Sequence, residues 1–154
     1  MARNEVVDND LGWERIKRET EALARKAVKV GIQSDGGDLI MRAFWNEYGT
    51  RGGASGGGWG GPVPARPFIS TAFEENRNDL NQMKARLWGG VIDGRLDANR
   101  AAGLLGEYHQ NQVREKITSI DSPPNAPITV DMKGSSNPLI DTGQMRQSVR
   151  HEVE

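Results

Sequence analysis

The chain contains no cysteine. Disulfides, thiolate nucleophiles, iron–sulfur clusters and thiolate zinc sites are therefore excluded. It has two histidines, His109 and His151, too few for a histidine-rich metal site on one chain, and no cofactor is expected. No apolar run reaches the roughly 18 residues that would mark a bilayer span. The opening MARNEVVDNDLG is too acidic and polar to read as a signal peptide. Neither sign of charge dominates: 20 Lys and Arg face 21 Asp and Glu, a net charge of −1. Nothing in that balance demands DNA, a membrane or a strongly charged partner. Aromatic residues are 6% and hydrophobic residues 36% of the 154 positions. With a mean hydropathy of −0.65, these values describe a thin core under a wet surface in one ordinary domain. The expectation is a soluble chain made in a cytoplasm, or built into a particle there.

What is present is organised by proline. All seven prolines fall in two clusters, Pro62, Pro64 and Pro67, then Pro123, Pro124, Pro127 and Pro138. Proline breaks helix interiors and central strands, so the clusters mark connections. In the first block, Leu11, Ile16, Leu23 and Ala27 predict a helix over 11–27, with Asp8 or Asp10 as its cap. Val28, Val30 and Ile32 alternate with Lys29 and Gly31, which predicts a short strand. A second helix is expected over 39–48, capped by Asp38 and ended by Gly49 in a left-handed conformation. Seven of the ten residues from 52 to 61 are glycine. The loop 50–63 is therefore expected to be flexible in the free protein, with Trp59 near its end as the candidate inter-subunit arm.

The second block predicts a helix starting at Pro67 and running to Trp88, broken at Gly89-Gly90. A longer one follows from Asp97 to Ile120, with Ala98, Ala101, Ala102, Leu105, Val113, Ile117 and Ile120 on one face. Residues 121–138 form a Pro-rich connection with one helical turn near 129–132. Val149, His151 and Val153 then alternate with Arg150 and Glu152 as a terminal strand. The fold class expected is α+β: a small antiparallel or mixed sheet, strands near 28–33 and 148–153, packed with several helices.

Chemistry-bearing residues are sparse. Leu139-Ile140-Asp141-Thr142-Gly143 looks like the active-site turn of aspartic proteases, where paired carboxylates share a proton. Only eleven residues follow Gly143, and the preceding chain reads as helical. The plainer reading makes Asp141 an acceptor of N–H groups near Gly143 and Gln144, in a turn that launches the last strand. His109 and His151 read as partly buried, hydrogen-bonded histidines. Asp93 with Asp97, and Glu74 with Glu75, read as surface charges rather than a cation site. The region 13–29 carries six basic and three acidic residues, enough to line a DNA passage but with no aromatic interleaving that would read sequence. The prolines flanking Arg66 restrict where its guanidinium points, and Glu47 is the candidate bidentate partner.

Two stretches are over-specified for loops: Asn46-Glu47-Tyr48-Gly49-Thr50 with Val63-Pro64-Ala65-Arg66-Pro67-Phe68, and Lys133 through Arg146. NEYGT, then VPARPF, a long helix and KGSSNPLIDTGQMRQSVRHEV resemble the virion-morphogenesis or tail-completion proteins of tailed bacteriophages. The resemblance covers about residues 28–50, 62–75 and 104–153. It implies a non-enzymatic neck subunit at the head–tail junction, in a ring of six or twelve copies. That ring would join the portal–adaptor complex to the tail terminator or tail tube and surround the DNA passage, with assembly in the host cytoplasm. No catalytic residues carry over. Structural or interface status carries to Asn46, Glu47, Tyr48, Gly49, Pro64, Arg66, Pro67, Phe68, Pro138, Leu139, Asp141, Thr142, Gly143, Met145 and Arg146. The alternatives are a tail-terminator or portal-adaptor subunit of the same particle, an aspartic-type hydrolase using Asp141, and a nucleic-acid-binding protein.

Overall fold

The computed structural model describes residues 12–33, 36–51 and 62–154. The expected Asp8 and Asp10 caps, most of the glycine loop and Trp59 lie outside the described residues. The elements run α1 (Trp13–Ala24), β1 (Val28–Ile32), α2 (Gly37–Tyr48), α3 (Ile69–Glu75), α4 (Arg77–Ile92), α5 (Ala98–Ser119), α6 (Pro127–Lys133), α7 (Gln144–Gln147) and β2 (Val149–Val153). The fold is α+β, mostly helical, with a two-stranded antiparallel sheet packed on α5.

The sheet joins the two segments that alternation picked out, with Val28 opposite Val153 and Ile32 opposite Val149. Ala27 and Glu154 exchange backbone hydrogen bonds at 3.0 and 2.9 Å. That pairing draws Ala27 into extended chain, which is why α1 stops at Ala24 rather than at 27. In an antiparallel ladder, hydrogen-bonded and non-hydrogen-bonded pairs alternate. The outward N–H and C=O groups of Val28, Val30 and Ile32 are therefore left as an open edge. The opposite edge is partly covered, because Arg114 Nη2 donates to Val149 O at 2.9 Å.

Two apolar clusters hold the molecule. Phe68, Ala72, Val113, Ile117 and Val149, each essentially inaccessible to solvent, centre the first, with Leu39, Ala43, Leu139 and Met145 around them. Leu87, Val91 and Ala101 form the second, packed by Leu23, Met83, Leu96, Leu104 and Leu105. The helix α5 touches both, so its 22 residues are the spine. Asp97, where the helix is expected to begin, is its N-cap and accepts from Arg100 N at 2.7 Å.

The single helix expected over 67–88 is two. Asn76 (φ −101°, ψ 12°) breaks it, and its side-chain amide donates back to Ala72 O at 2.8 Å. Gly89-Gly90, expected to interrupt the helix, lie inside α4. A β-carbon on Gly90 would sit 2.9 Å from Leu96 Cδ1, so this glycine admits the returning chain. Gly90 O accepts from Arg95 N and Leu96 N at 2.9 and 3.1 Å. Pro67 precedes the helix rather than opening it, since Phe68 is the N-cap of α3. Asp38 lies in the first turn of α2 and forms no cap; Gly36 takes that position.

On α1, Arg15 and Glu19 sit one turn apart and serve opposite helix ends. Arg15 donates to the Val91 and Ile92 carbonyls at 3.0 and 2.9 Å, at the negative end of α4. Glu19 accepts from Ala98 N at 3.1 Å, at the positive end of α5. One of the six basic residues of 13–29 is thus turned inward onto the fold.

Candidate functional site

The candidate site is where α2, the PARPF segment and the 133–146 stretch meet. Its first part is built around Glu47, buried on α2. Oε2 accepts from Phe68 N and Ile69 N at 2.8 and 2.9 Å. Oε1 accepts from Ser70 N at 2.9 Å and Ser70 Oγ at 2.6 Å. The first N–H groups of a helix have no partner within it. A carboxylate from another helix satisfies them here and sits at the positive end of the α3 dipole.

Arg66 faces elsewhere. Its Nε donates to Pro123 O at 2.6 Å, and Nη2 donates to Pro124 O at 3.0 Å and Asn125 Oδ1 at 3.4 Å. Its own amide donates to Asn46 O at 2.6 Å. The expected Glu47–Arg66 ion pair is absent among the described residues; each side chain instead grips backbone from a different segment. The two prolines at 123–124 withhold N–H groups and leave carbonyls, and a guanidinium fork matches adjacent carbonyls. Burial lowers the Arg66 pKa from its ordinary value.

Gly49 ends α2 with positive φ as expected, but ψ is 174°, an extended rather than a helical value. A β-carbon there would lie 2.9 Å from Ala65 N. Thr50 N donates to Val63 O at 2.9 Å, and Val63 N donates to Thr50 Oγ1 at 3.0 Å. These bonds pinch together the two ends of the glycine-rich loop. Phe68 anchors the segment in the core, while Tyr48, Pro64 and Pro67 remain exposed.

In the second part, Asn137 performs the work assigned to Asp141. Asn137 Oδ1 accepts from Leu139 N and Ile140 N, both at 2.9 Å, and Nδ2 donates to Thr118 O at 2.9 Å. Asp141 is exposed and makes no cap at α7, whose N-cap is Gly143 at φ 76°. Geometry decides this: an Asn preceding a proline reaches the amides two and three residues on. Pro138, Leu139 and Met145 are buried, Gly143 is half-buried, and Thr142 and Arg146 are exposed.

The two parts meet along a groove of about 210 Å³. Arg42 and Asn46 of α2 line one wall, Lys133, Pro138 and Asp141 through Gln144 line the other, and the buried Leu39, Leu139 and Met145 form the floor between them. Sequence reasoning named neither Arg42 nor Asn137 as a site residue. The Asn-Pro dipeptide at 137–138 is a turn signal that marks Asn137; no sequence signal marks Arg42.

The histidines lie half-buried. His109 Nδ1 is 3.1 Å from Gln112 Oε1 and its ring meets Phe73 edge-on at 5.8 Å. His151 Nδ1 is 2.9 Å from Gln110 Oε1. Glu74 pairs with Arg77, Glu75 with Lys116 and Asp93 with Arg95, at 2.6 to 2.7 Å. Among the described residues, no group of three or more His, Asp or Glu stands where it could hold a metal ion, and no helix is long and apolar enough to cross a membrane. Compared with known proteins, the chain matches no family model, no curated protein and no solved structure.

Proposed function

We propose that this chain is a structural neck or tail-completion subunit of a tailed bacteriophage. In this reading it forms a ring of six or twelve copies at the head–tail junction, between the portal–adaptor complex and the tail, around the DNA passage. The motifs NEYGT, PARPF and NPLIDTGQM support it through their resemblance to that family. Their side chains support it through what they bind: Glu47, Arg66 and Asn137 all hold backbone.

The observation that carries the assembly reading is the two-faced helix α2. Leu39, Ala43 and Glu47 are buried inward. Ile40, Phe44 and Tyr48, one turn apart on the outer side, are 44%, 52% and 69% exposed, with Met41 and Trp45 beside them. Phe44 and Tyr48 rings lie 4.8 Å apart. A contiguous apolar stripe of this kind marks a protein contact. The open edge of β1 is a second joint suited to a neighbour. Ring contacts are heterologous, so different faces of one copy meet.

The test is native mass spectrometry of the purified chain, with particle imaging of the connector. A closed ring is expected. Phe44→Ser with Tyr48→Ser is expected to release folded monomers. A wild-type chain that stays monomeric at all concentrations, and is missing from the connector, overturns the reading.

A further inference from the structure

Lys133 ends α6, where Gly134 turns left-handed at φ 66°. The side chain folds back onto the 137–138 segment, with Nζ 3.3 Å from Asn137 O and 3.5 Å from Pro138 O. Both contacts are long for N–H···O bonds, and an ammonium carries three donors. Burial lowers the Lys133 pKa, the carboxylate of Asp141 opposes that effect, and the Arg66 guanidinium adds to it. Arg42 stands on the opposite wall of the groove. None of Arg42, Arg66 and Lys133 joins an ion pair among the described residues. The half-buried Lys133 and the exposed Arg42 thus line one groove with a single carboxylate, Asp141, which is close enough to act on Lys133 and too far to pair with it. Beneath them, Leu39, Leu139 and Met145 give the groove an apolar floor.

We propose that this groove binds a carboxylate borne on a short aliphatic stem, with Lys133 and Arg42 holding the carboxylate and the apolar floor taking the stem. The half-buried Lys133 ammonium has lost part of its hydration without gaining a paired anion, and a bound carboxylate compensates through charge-assisted hydrogen bonds. The apolar floor has no use for a bare inorganic anion. Asp141 on the same wall disfavours a doubly charged phosphate more than a singly charged carboxylate. The carboxylate comes either from a free aliphatic acid or from an acidic side chain of another copy of this chain. The site stands independently of the assembly role proposed above.

The experiment titrates glutarate into the full chain and follows the Lys133 side-chain resonances by NMR, with glutaramide as the uncharged control of equal length. Saturable shifts are expected with glutarate alone. Lys133→Gln and Arg42→Gln, read by calorimetry, are expected to weaken binding about tenfold or more, and Asp141→Asn to strengthen it. Arg42 makes no side-chain hydrogen bond among the described residues, so Arg42→Gln keeps the fold and the test holds even if Lys133→Gln does not. Unmoved Lys133 resonances, equal binding of glutaramide, or unchanged affinity in Arg42→Gln overturns the proposal. Sedimentation with glutarate assigns the source: dispersal of an oligomer identifies another copy's side chain, and binding without dispersal identifies a free acid. A chain that is monomeric at all concentrations before glutarate is added, and still binds it, counts against the ring and leaves the groove standing.

Discussion

A β-carbon on Gly106 would lie 2.5 Å from Cδ2 of His151. The glycine on α5 and the histidine on β2 therefore set how closely the sheet rests on the helix. His151 has little room to retreat, because Nδ1 is tied to Gln110 Oε1. Gly106→Ala gains helix propensity of up to about 1 kcal/mol, but the overlap costs more, as overpacking does. A net loss of about 1–2 kcal/mol is expected in urea unfolding. His151→Ala in the Gly106→Ala background is expected to recover part of it, giving a coupling energy of favourable sign in a double-mutant cycle.

Glu47→Gln keeps the shape of the side chain and halves its accepting capacity. An amide NH2 then faces the N–H groups of α3 where an oxygen stood. Leaving a buried donor unsatisfied costs about 1–3 kcal/mol. The loss is expected in the unfolding midpoint, with faster amide exchange at Phe68, Ile69 and Ser70. Unchanged exchange at those three amides would contradict the capping role.

Arg66→Lys keeps the charge and loses the fork. A lysine cannot donate to the Pro123 and Pro124 carbonyls in the same plane. A loss of about 1–3 kcal/mol is expected, together with earlier proteolytic cutting within 121–126 than in the wild type. Cutting at the wild-type rate would show that the clamp does not hold this connection.

Two lysines are expected to titrate in opposite directions from the ordinary 10.5. Lys29 is raised, first by its hydrogen bond to Glu154. Its stabilising contribution is present below 10.5 and is lost as pH rises through the higher folded value. It lies on the surface, so salt screens it. Lys133 is lowered, first by burial. Below its folded value the half-buried ammonium opposes folding, and stability recovers as pH climbs from that value to 10.5. NMR titration of the side-chain carbons is expected to find Lys133 losing its proton first. The reverse order would contradict both assignments.

Asp141→Asn is expected to change stability by less than about 0.5 kcal/mol, because the side chain is exposed and caps nothing. Thermal unfolding checks this. A loss of several degrees would restore the turn-forming role that Asn137 holds.

Local order along the chain was legible from residue pattern alone. Alternation at 28–32 and 149–153 marked both strands, and Asp97 marked the start of α5, because these signals act between near neighbours. The motifs around Glu47, Arg66 and Asp141 were visible as unusual, and their partners were not. Glu47 and Arg66 lie nineteen positions apart (47 to 66), and both are buried. Opposite charges suggested that they meet, yet each found unpaired backbone groups nearer than the other. The sequence also placed a helix break at Gly89-Gly90, where tertiary packing needed glycine for the approach of Leu96.

Residue chemistry by itself determined the element types, the absence of thiol chemistry and the short sheet that pairs 28–32 with 149–153. Only the tertiary structure decided which polar groups each buried charge would satisfy, and that α2 would keep an apolar face outward. The reason is that burial creates the demand for partners. An N–H at the head of α3 or a carbonyl at Pro123 requires a donor or acceptor only once water has been removed, and which side chain then lies within reach depends on the packing of distant segments.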